Sequence, residues 1–151
     1  RARQVAERTF EFSQYLVDVL GITKLGAHFS GTVTYHDSCH LFRNLGVAEQ
    51  PRKLIAGVAG ARFVEMGDAD RCCGFGGTFC VKYPDISGRM VNDKVDAIQA
   101  SGADTLLAGD LGCLLNIAGR LRRRRRGGVS GAVRRTREVK NDPPPAWFRD
   151  G

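Results

Sequence analysis

The sequence contains no long apolar segment. None of its 151 residues lies in a run of about 18 consecutive apolar residues, the length of a membrane-spanning helix, and no signal-type apolar segment follows the amino terminus. Its five cysteines are an odd number, which fits a disulfide framework poorly. We therefore expect a cytoplasmic protein without a membrane span, whose cysteines remain reduced.

Most of the chain also has little net charge. Residues 1–119 hold 12 lysines and arginines against 13 aspartates and glutamates, whereas residues 120–151 hold 11 against 3. The overall charge of +7 therefore comes from the carboxyl-terminal part, with arginines at 122–126 and prolines at 143–145. We predict one folded domain over 1–121 and a disordered basic tail over 122–151. We expect no specific nucleic-acid partner, although a basic arm of this kind is an alternative.

Segments with helical and strand patterns alternate along the chain. The predicted helices cover 2–20, 41–58 with a break or new start at Pro51, about 87–101 with Ser87 as the cap, and 111–121. The predicted strands cover 31–37, 61–66 and 103–109. This alternation predicts an α/β fold in which a parallel sheet is layered with helices, as in Rossmann-like proteins.

Four cysteines follow the three predicted strands. Cys39 comes after the first strand, the doublet Cys72-Cys73 after the second, and Cys113 after the third. The intervals between them are 32 and 39 residues. Because the carboxyl ends of parallel strands meet at one edge of a sheet, where open α/β folds bind ligands, the spacing predicts a single site.

Three interpretations of these cysteines are open. Free cysteines are often small buried apolar residues, and thiolates also bind tetrahedral zinc, although the usual Cys-x-x-Cys pairs are absent. The third interpretation is an iron–sulfur site. Gly74, Gly76 and Gly77 favour it, since glycines let the backbone turn tightly and bring N–H groups close to an anionic centre.

Three motifs resemble those of a known family. They are YHDSCH at 35–40, CCGFGGTF at 72–79 and GDLGC at 109–113. Together they resemble the CCG (cysteine-rich) domain of (Fe-S)-binding oxidoreductases, over about residues 1–121. The resemblance implies that two such domains normally occur in tandem and that this chain is the second, a fragment of a longer protein. Two positions depart from the pattern: Cys80 stands where serine is expected, and Asn116 where a further cysteine is expected.

The resemblance also implies a cofactor and a role. The cofactor is an iron–sulfur cluster of the [4Fe-4S] type. Its metal ligands are Cys39, Cys72, Cys73 and Cys113, and its other binding residues are Gly74, Gly76, Gly77 and His40. The implied role is electron transfer in a complex that oxidises a 2-hydroxy acid, L-lactate to pyruvate, with the other subunits of that complex as partners. A subunit of a thiol/disulfide reductase resembling heterodisulfide reductase B, a glycolate oxidase iron–sulfur subunit and a non-enzymatic, metal-stabilised structural subunit are the alternatives.

Overall fold

Three parallel strands form the centre of the protein. In the computed structural model, which describes residues 1–126, they are β1 (His28–His36), β2 (Ala59–Phe63) and β3 (Thr105–Ala108). The order is β2-β1-β3, and Val33 of the central strand lies opposite Phe63 on one side and Thr105 on the other. Parallel neighbours require crossover connections, which the helices provide. The predicted parallel α/β fold is confirmed.

Helices flank and connect the strands. In chain order they are α1 (Ala2–Ala6), α2 (Phe12–Gln14) with a π-helical turn over Tyr15–Val19, a second π-helical turn (His40–Asn44), α3 (Glu49–Ala56), α4 (Phe79–Lys82), α5 (Pro84–Ala100) and α6 (Leu111–Arg126). α3 connects β1 to β2, and α4 and α5 lie between β2 and β3. In the described residues 1–126, no helix is long and apolar enough to span a bilayer.

The two faces of the sheet bury different clusters. Val33 and Tyr35 of β1 pack with Ile55 of α3. The other cluster joins residues of α5 and α6 to the loop after β2, and its buried members are Met66, Cys73, Val91, Val95, Ile98, Cys113 and Ile117. Side chains alternate between the faces of a strand, so His36 lies on the face opposite Tyr35, which is the face of α5 and α6. Cys73 and Cys113 are therefore part of the core on the face of the sheet that α5 and α6 cover.

The predicted helix boundaries agree only in part with the structure. The predicted helix over 2–20 is interrupted, because Glu11 and Gln14 form a reciprocal capping box that starts a new helix. The predicted break in the helix over 41–58 is confirmed: the chain leaves the helical conformation between Asn44 and Glu49, and Pro51 lies in the first turn of α3, where a missing N–H breaks no helical bond. Ser87 does not cap α5, which begins at Pro84.

The last helix continues past the predicted domain boundary. α6 runs to Arg126 instead of ending near 121. Arg124 makes an ion pair with Asp96 of α5 at 2.5 Å and donates hydrogen bonds to Asn92 and Gln99. Arg124 therefore docks this part of α6 on α5. The rest of the predicted tail, 127–151, lies outside the described residues.

Candidate metal centre

Two cysteines and a histidine meet below the surface of the protein. The Sγ atoms of Cys73 and Cys113 are 3.1 Å apart, and these sulfurs and one imidazole nitrogen of His36 all lie within 4.8 Å of one another. The three residues come from the loop after β2, the first turn of α6 and the last position of β1. All three are buried. Soft sulfur together with imidazole is a donor set for a transition metal.

The His36 ring is held by one nitrogen only. Its Nδ1 atom lies 3.2 Å from the carbonyl oxygen of Ala69. Because a carbonyl oxygen only accepts hydrogen bonds, Nδ1 carries the proton. In the neutral ring Nε2 then has a free lone pair, and this buried atom has no partner among the described residues. Buried polar atoms are normally satisfied, so the orphaned Nε2 indicates that a bound group completes the site.

The start of α6 fixes the position of Cys113. The Asp110 carboxylate accepts a hydrogen bond from the Cys113 N–H at 2.8 Å, which caps the helix. The Asn116 side chain, one turn further, donates to the carbonyl oxygen of Cys73 at 2.9 Å. The Phe75 ring covers Gly112, since a Cβ atom there would lie 2.5 Å from it. Phe75 also packs against the buried cluster that contains Cys113.

A glycine turn follows the cysteine doublet. Gly74 has φ +81°, and its N–H lies 3.4 Å from the Cys72 sulfur as a donor. Gly76 and Gly77 also have positive φ, +51° and +60°. Left-handed backbone of this kind strongly favours glycine. The predicted tight turn is confirmed, and its nearest N–H points at sulfur.

A buried lysine holds the loop that precedes the doublet. Lys94 of α5 is fully buried and donates hydrogen bonds to the carbonyl oxygens of Asp68 and Ala69. Burial lowers the pKa of Lys94, while the charges of nearby aspartates oppose this shift. Ala69 thus accepts from Lys94 and from His36. The Ala69 carbonyl thus connects the loop before the doublet to α5 and to His36.

The cysteine thiols differ in how readily they lose a proton. The Cys113 thiol, donating to the Cys73 sulfur, lowers the pKa of Cys73 to about 4, with burial opposing the effect. The same hydrogen bond, together with burial, raises the pKa of Cys113. Burial also raises the pKa of Cys72, as do the neighbouring Cys73 and Cys39 sulfurs. A cation at this site would favour thiolates throughout.

The remaining predicted residues lie at the edge of this group. Cys39 precedes the π-helical turn at the end of β1, is half-buried and is close enough to Cys72 to affect its pKa. His40 is exposed, and its Nδ1 lies 3.1 Å from the side-chain nitrogen of Asn44. Cys80 is half-buried and donates to the carbonyl oxygen of Gly77. Among the described residues, neither His40 nor Cys80 belongs to the group formed by Cys73, Cys113 and His36.

An arginine braces the end of the central strand. The Arg52 guanidinium bonds both Asp37 oxygens, at 2.9 and 2.8 Å, and both Glu65 oxygens. It also lies 5.6 Å from the centre of the Tyr35 ring. The two carboxylates raise the pKa of Arg52, so its charge is permanent. The hydrogen bonds from Arg52 fix Asp37, which lies between His36 and the turn that carries Cys39.

Sequence reasoning assigned no ligand role to His36. His36 lies in the same motif as Cys39 and His40, and the prediction used only His40, the histidine adjacent to Cys39. A signal was nevertheless present, because alternation along β1 places 34 and 36 on one face and 33 and 35 on the other. Deciding which face meets the cysteines required the packing of α5 and α6.

The chain is similar in sequence to a known family and to curated proteins. A model of the CCG family, described as a cysteine-rich domain, matches residues 33–118. The chain is 53% identical over 124 residues to Lactate utilization protein A of Macrococcus caseolyticus, covering 82% of this chain and 51% of that protein. It is 50% identical over 123 residues to Lactate utilization protein A of Lysinibacillus sphaericus, covering 82% and 54%. This chain therefore spans about half the length of these relatives.

Proposed function

This chain belongs to the CCG cysteine-rich domain family, and on that basis we propose that it binds an iron–sulfur cluster and transfers electrons in the oxidation of a 2-hydroxy acid. The observation that supports cluster binding most strongly is the buried meeting of Cys73, Cys113 and His36. In the described residues, the two buried side-chain polar atoms without a partner are Thr34 Oγ1 and His36 Nε2. Both belong to the face of β1 that meets this group, so the residues fit a bound centre.

The proposed metal ligands are the thiolates of Cys39, Cys72, Cys73 and Cys113. When bound, a cluster of the [4Fe-4S] type accepts and releases single electrons. The chain supplies the surroundings: the Gly74 N–H donates to the Cys72 sulfur, and Phe75 packs against the buried cluster that contains Cys113. Hydrogen bonds to sulfur and exclusion of water are the means by which a protein adjusts a cluster's potential.

The choice of substrate comes from the relatives. The similar proteins carry the name Lactate utilization protein A. We therefore propose L-lactate as the 2-hydroxy acid, with the oxidation itself on partner subunits of a lactate oxidation complex. The segment with Gly74, Gly76 and Gly77 lacks the glycine spacing of a dinucleotide-binding fingerprint.

Metal analysis tests cluster binding. The chain is reconstituted anaerobically with ferrous iron and sulfide, and bound iron and acid-labile sulfide are measured. We expect a brown protein with both in stoichiometric amounts and a broad thiolate-to-iron absorption. A colourless protein that retains stoichiometric zinc after reconstitution would contradict the proposal and favour a structural metal site.

A second experiment tests the role. The complete protein is purified with the other lactate-utilisation proteins of its host, and cluster reduction is followed by electron paramagnetic resonance. We expect reduction on addition of L-lactate and none on addition of glycolate. Reduction by glycolate alone would favour the glycolate oxidase alternative. Oxidation of the reduced cluster by an organic disulfide, without a response to lactate, would favour the reductase.

A further inference from the structure

His36 is the residue whose environment the four-cysteine assignment leaves unexplained. Its side chain is fully buried, at 0% exposure. A neutral imidazole has one donor and one acceptor nitrogen, and both are normally paired when buried. Here Nδ1 is paired with Ala69 and Nε2 is not. Leaving such a buried atom unpaired is costly, so Nε2 needs a partner that the described residues do not supply.

The arrangement around the ring matches that of a metal-binding histidine. Such histidines donate their second N–H to a carbonyl or carboxylate, which fixes the tautomer and aims the other nitrogen at the metal. Ala69 provides that carbonyl, and Lys94 holds the same carbonyl in place. The sulfurs of Cys73 and Cys113 lie within 4.8 Å of a His36 ring nitrogen. The three donor atoms are therefore close enough together to face one bound metal centre.

The geometry points to Nε2 of His36 as a metal ligand, which with the Cys73 and Cys113 sulfurs forms the deep, mixed nitrogen–sulfur end of the centre. The inference rests on the proposed function only for the identity of the metal, which is iron of the cluster. The Cys113 thiol loses its proton on binding, whereas Nε2 needs to lose none, because Nδ1 carries the ring proton. His40, which sequence reasoning favoured, is then a surface residue next to the site.

Pulsed electron paramagnetic resonance tests this inference directly. The chain is labelled with ¹⁵N-histidine, reconstituted with ferrous iron and sulfide, and reduced to a paramagnetic state. We expect a strong ¹⁵N hyperfine coupling from a directly bound nitrogen. The chain has three histidines, so His28→Asn and His40→Asn serve as matched controls that keep the coupling, whereas His36→Cys loses it. Weak coupling alone would make His36 a hydrogen-bond donor to sulfur and overturn the assignment.

Cobalt binding to the cluster-free chain provides a second readout. We expect His36→Asn to weaken Co²⁺ binding by at least about 100-fold, since loss of an outer-sphere partner alone costs about 10- to 100-fold. His36→Cys replaces imidazole with thiolate and restores the affinity to within about tenfold, which a purely structural histidine would not allow. Unchanged affinity in His36→Asn would overturn the inference.

The two proposals fail in distinguishable ways. If the chain takes up no iron or sulfide, the cluster proposal fails, and Co²⁺ binding still decides whether His36 is a ligand. If the cluster forms without strong ¹⁵N coupling, only the His36 assignment fails. If His36→Asn does not fold, as shown by circular dichroism, the ¹⁵N coupling of the labelled native chain and of its His28 and His40 variants decides whether His36 is a ligand.

In the reconstituted protein, His36→Cys is also expected to shift the midpoint potential to a more negative value, because thiolate is anionic and imidazole is neutral.

Discussion

The hydroxyl of Ser87 donates a hydrogen bond to the carbonyl oxygen of Gly74 at 2.7 Å. Both residues are buried, and the bond joins the first turn of α5 to the turn that follows the cysteine doublet. A Cβ atom at Gly74 would lie 2.7 Å from the Ser87 carbonyl oxygen and 3.0 Å from the Met90 side chain. The helix and the turn are therefore in direct contact, so the position of Cys73 depends on α5.

Gly74→Ala is expected to destabilise the protein by about 2–4 kcal/mol. The new methyl group meets backbone at a distance that real Cβ atoms do not adopt, and φ of +81° is unfavourable for alanine. Gly77 also has positive φ but open space around it, so we expect Gly77→Ala to lower the free energy of unfolding by about 1 kcal/mol. Gly88→Ala, within α5 and without close neighbours, should be neutral or stabilising. Urea unfolding measures all three, and equal stability of the Gly74 and Gly77 variants would contradict the contact.

Cys73→Ser is expected to abolish iron binding, whereas Cys80→Ser leaves it nearly unchanged. The Cys73 sulfur is buried against Cys113, and a serine alkoxide is far too basic to replace its thiolate. Cys80 bonds the carbonyl of Gly77 and stands apart from that group. Iron and sulfide content after reconstitution is the measurement. The reverse result, iron lost with Cys80 and kept with Cys73, would show that the ligands are misassigned.

Arg52→Met is expected to cost about 3 kcal/mol of stability. The substitution leaves the Asp37 carboxylate, which is 5% exposed, buried without a cationic partner. Arg52→Lys keeps the charge but loses the paired hydrogen bonds to both carboxylates, so we expect an intermediate loss. The neighbouring exposed Lys53 offers the control Lys53→Met, with little change. Thermal or denaturant unfolding of the cluster-free chain provides the comparison.

Arg124→Ala is expected to lower stability by about 0.2–1 kcal/mol, and Arg123→Ala by less. Arg124 pairs with Asp96, whose side chain is 63% exposed, so solvent screens the interaction. Arg124 lowers the pKa of Asp96, which means that the pair stabilises the fold above the ordinary aspartate pKa. This contribution is lost as the pH falls through the lowered pKa. The difference between wild type and Arg124→Ala should therefore disappear in strong acid and shrink at high salt.

Local patterns were sufficient to predict the framework of the site. β-branched and alternating segments predicted three strands, and their separation by helices predicted the parallel sheet, which the parallel pairing of β1 with β2 and with β3 confirms. Glycines after the doublet predicted a tight turn, and Gly74, Gly76 and Gly77 all have positive φ. These features depend on residues close in sequence, so a single sequence contains the information. Helix ends were less well predicted, since the Glu11–Gln14 capping box competes with a continuous apolar face.

Contacts between distant segments decided the rest. From the sequence one could predict that cysteines follow three parallel strands and therefore approach one edge of the sheet. The three-dimensional packing was needed to show that the Cys73 sulfur lies against Cys113, that His36 joins them in place of His40, and that Arg124 docks on α5. The physical reason is that a strand's pattern defines two faces but not which helices will cover each one. That choice depends on how α5 and α6 pack, and packing sums many contacts between residues remote in sequence.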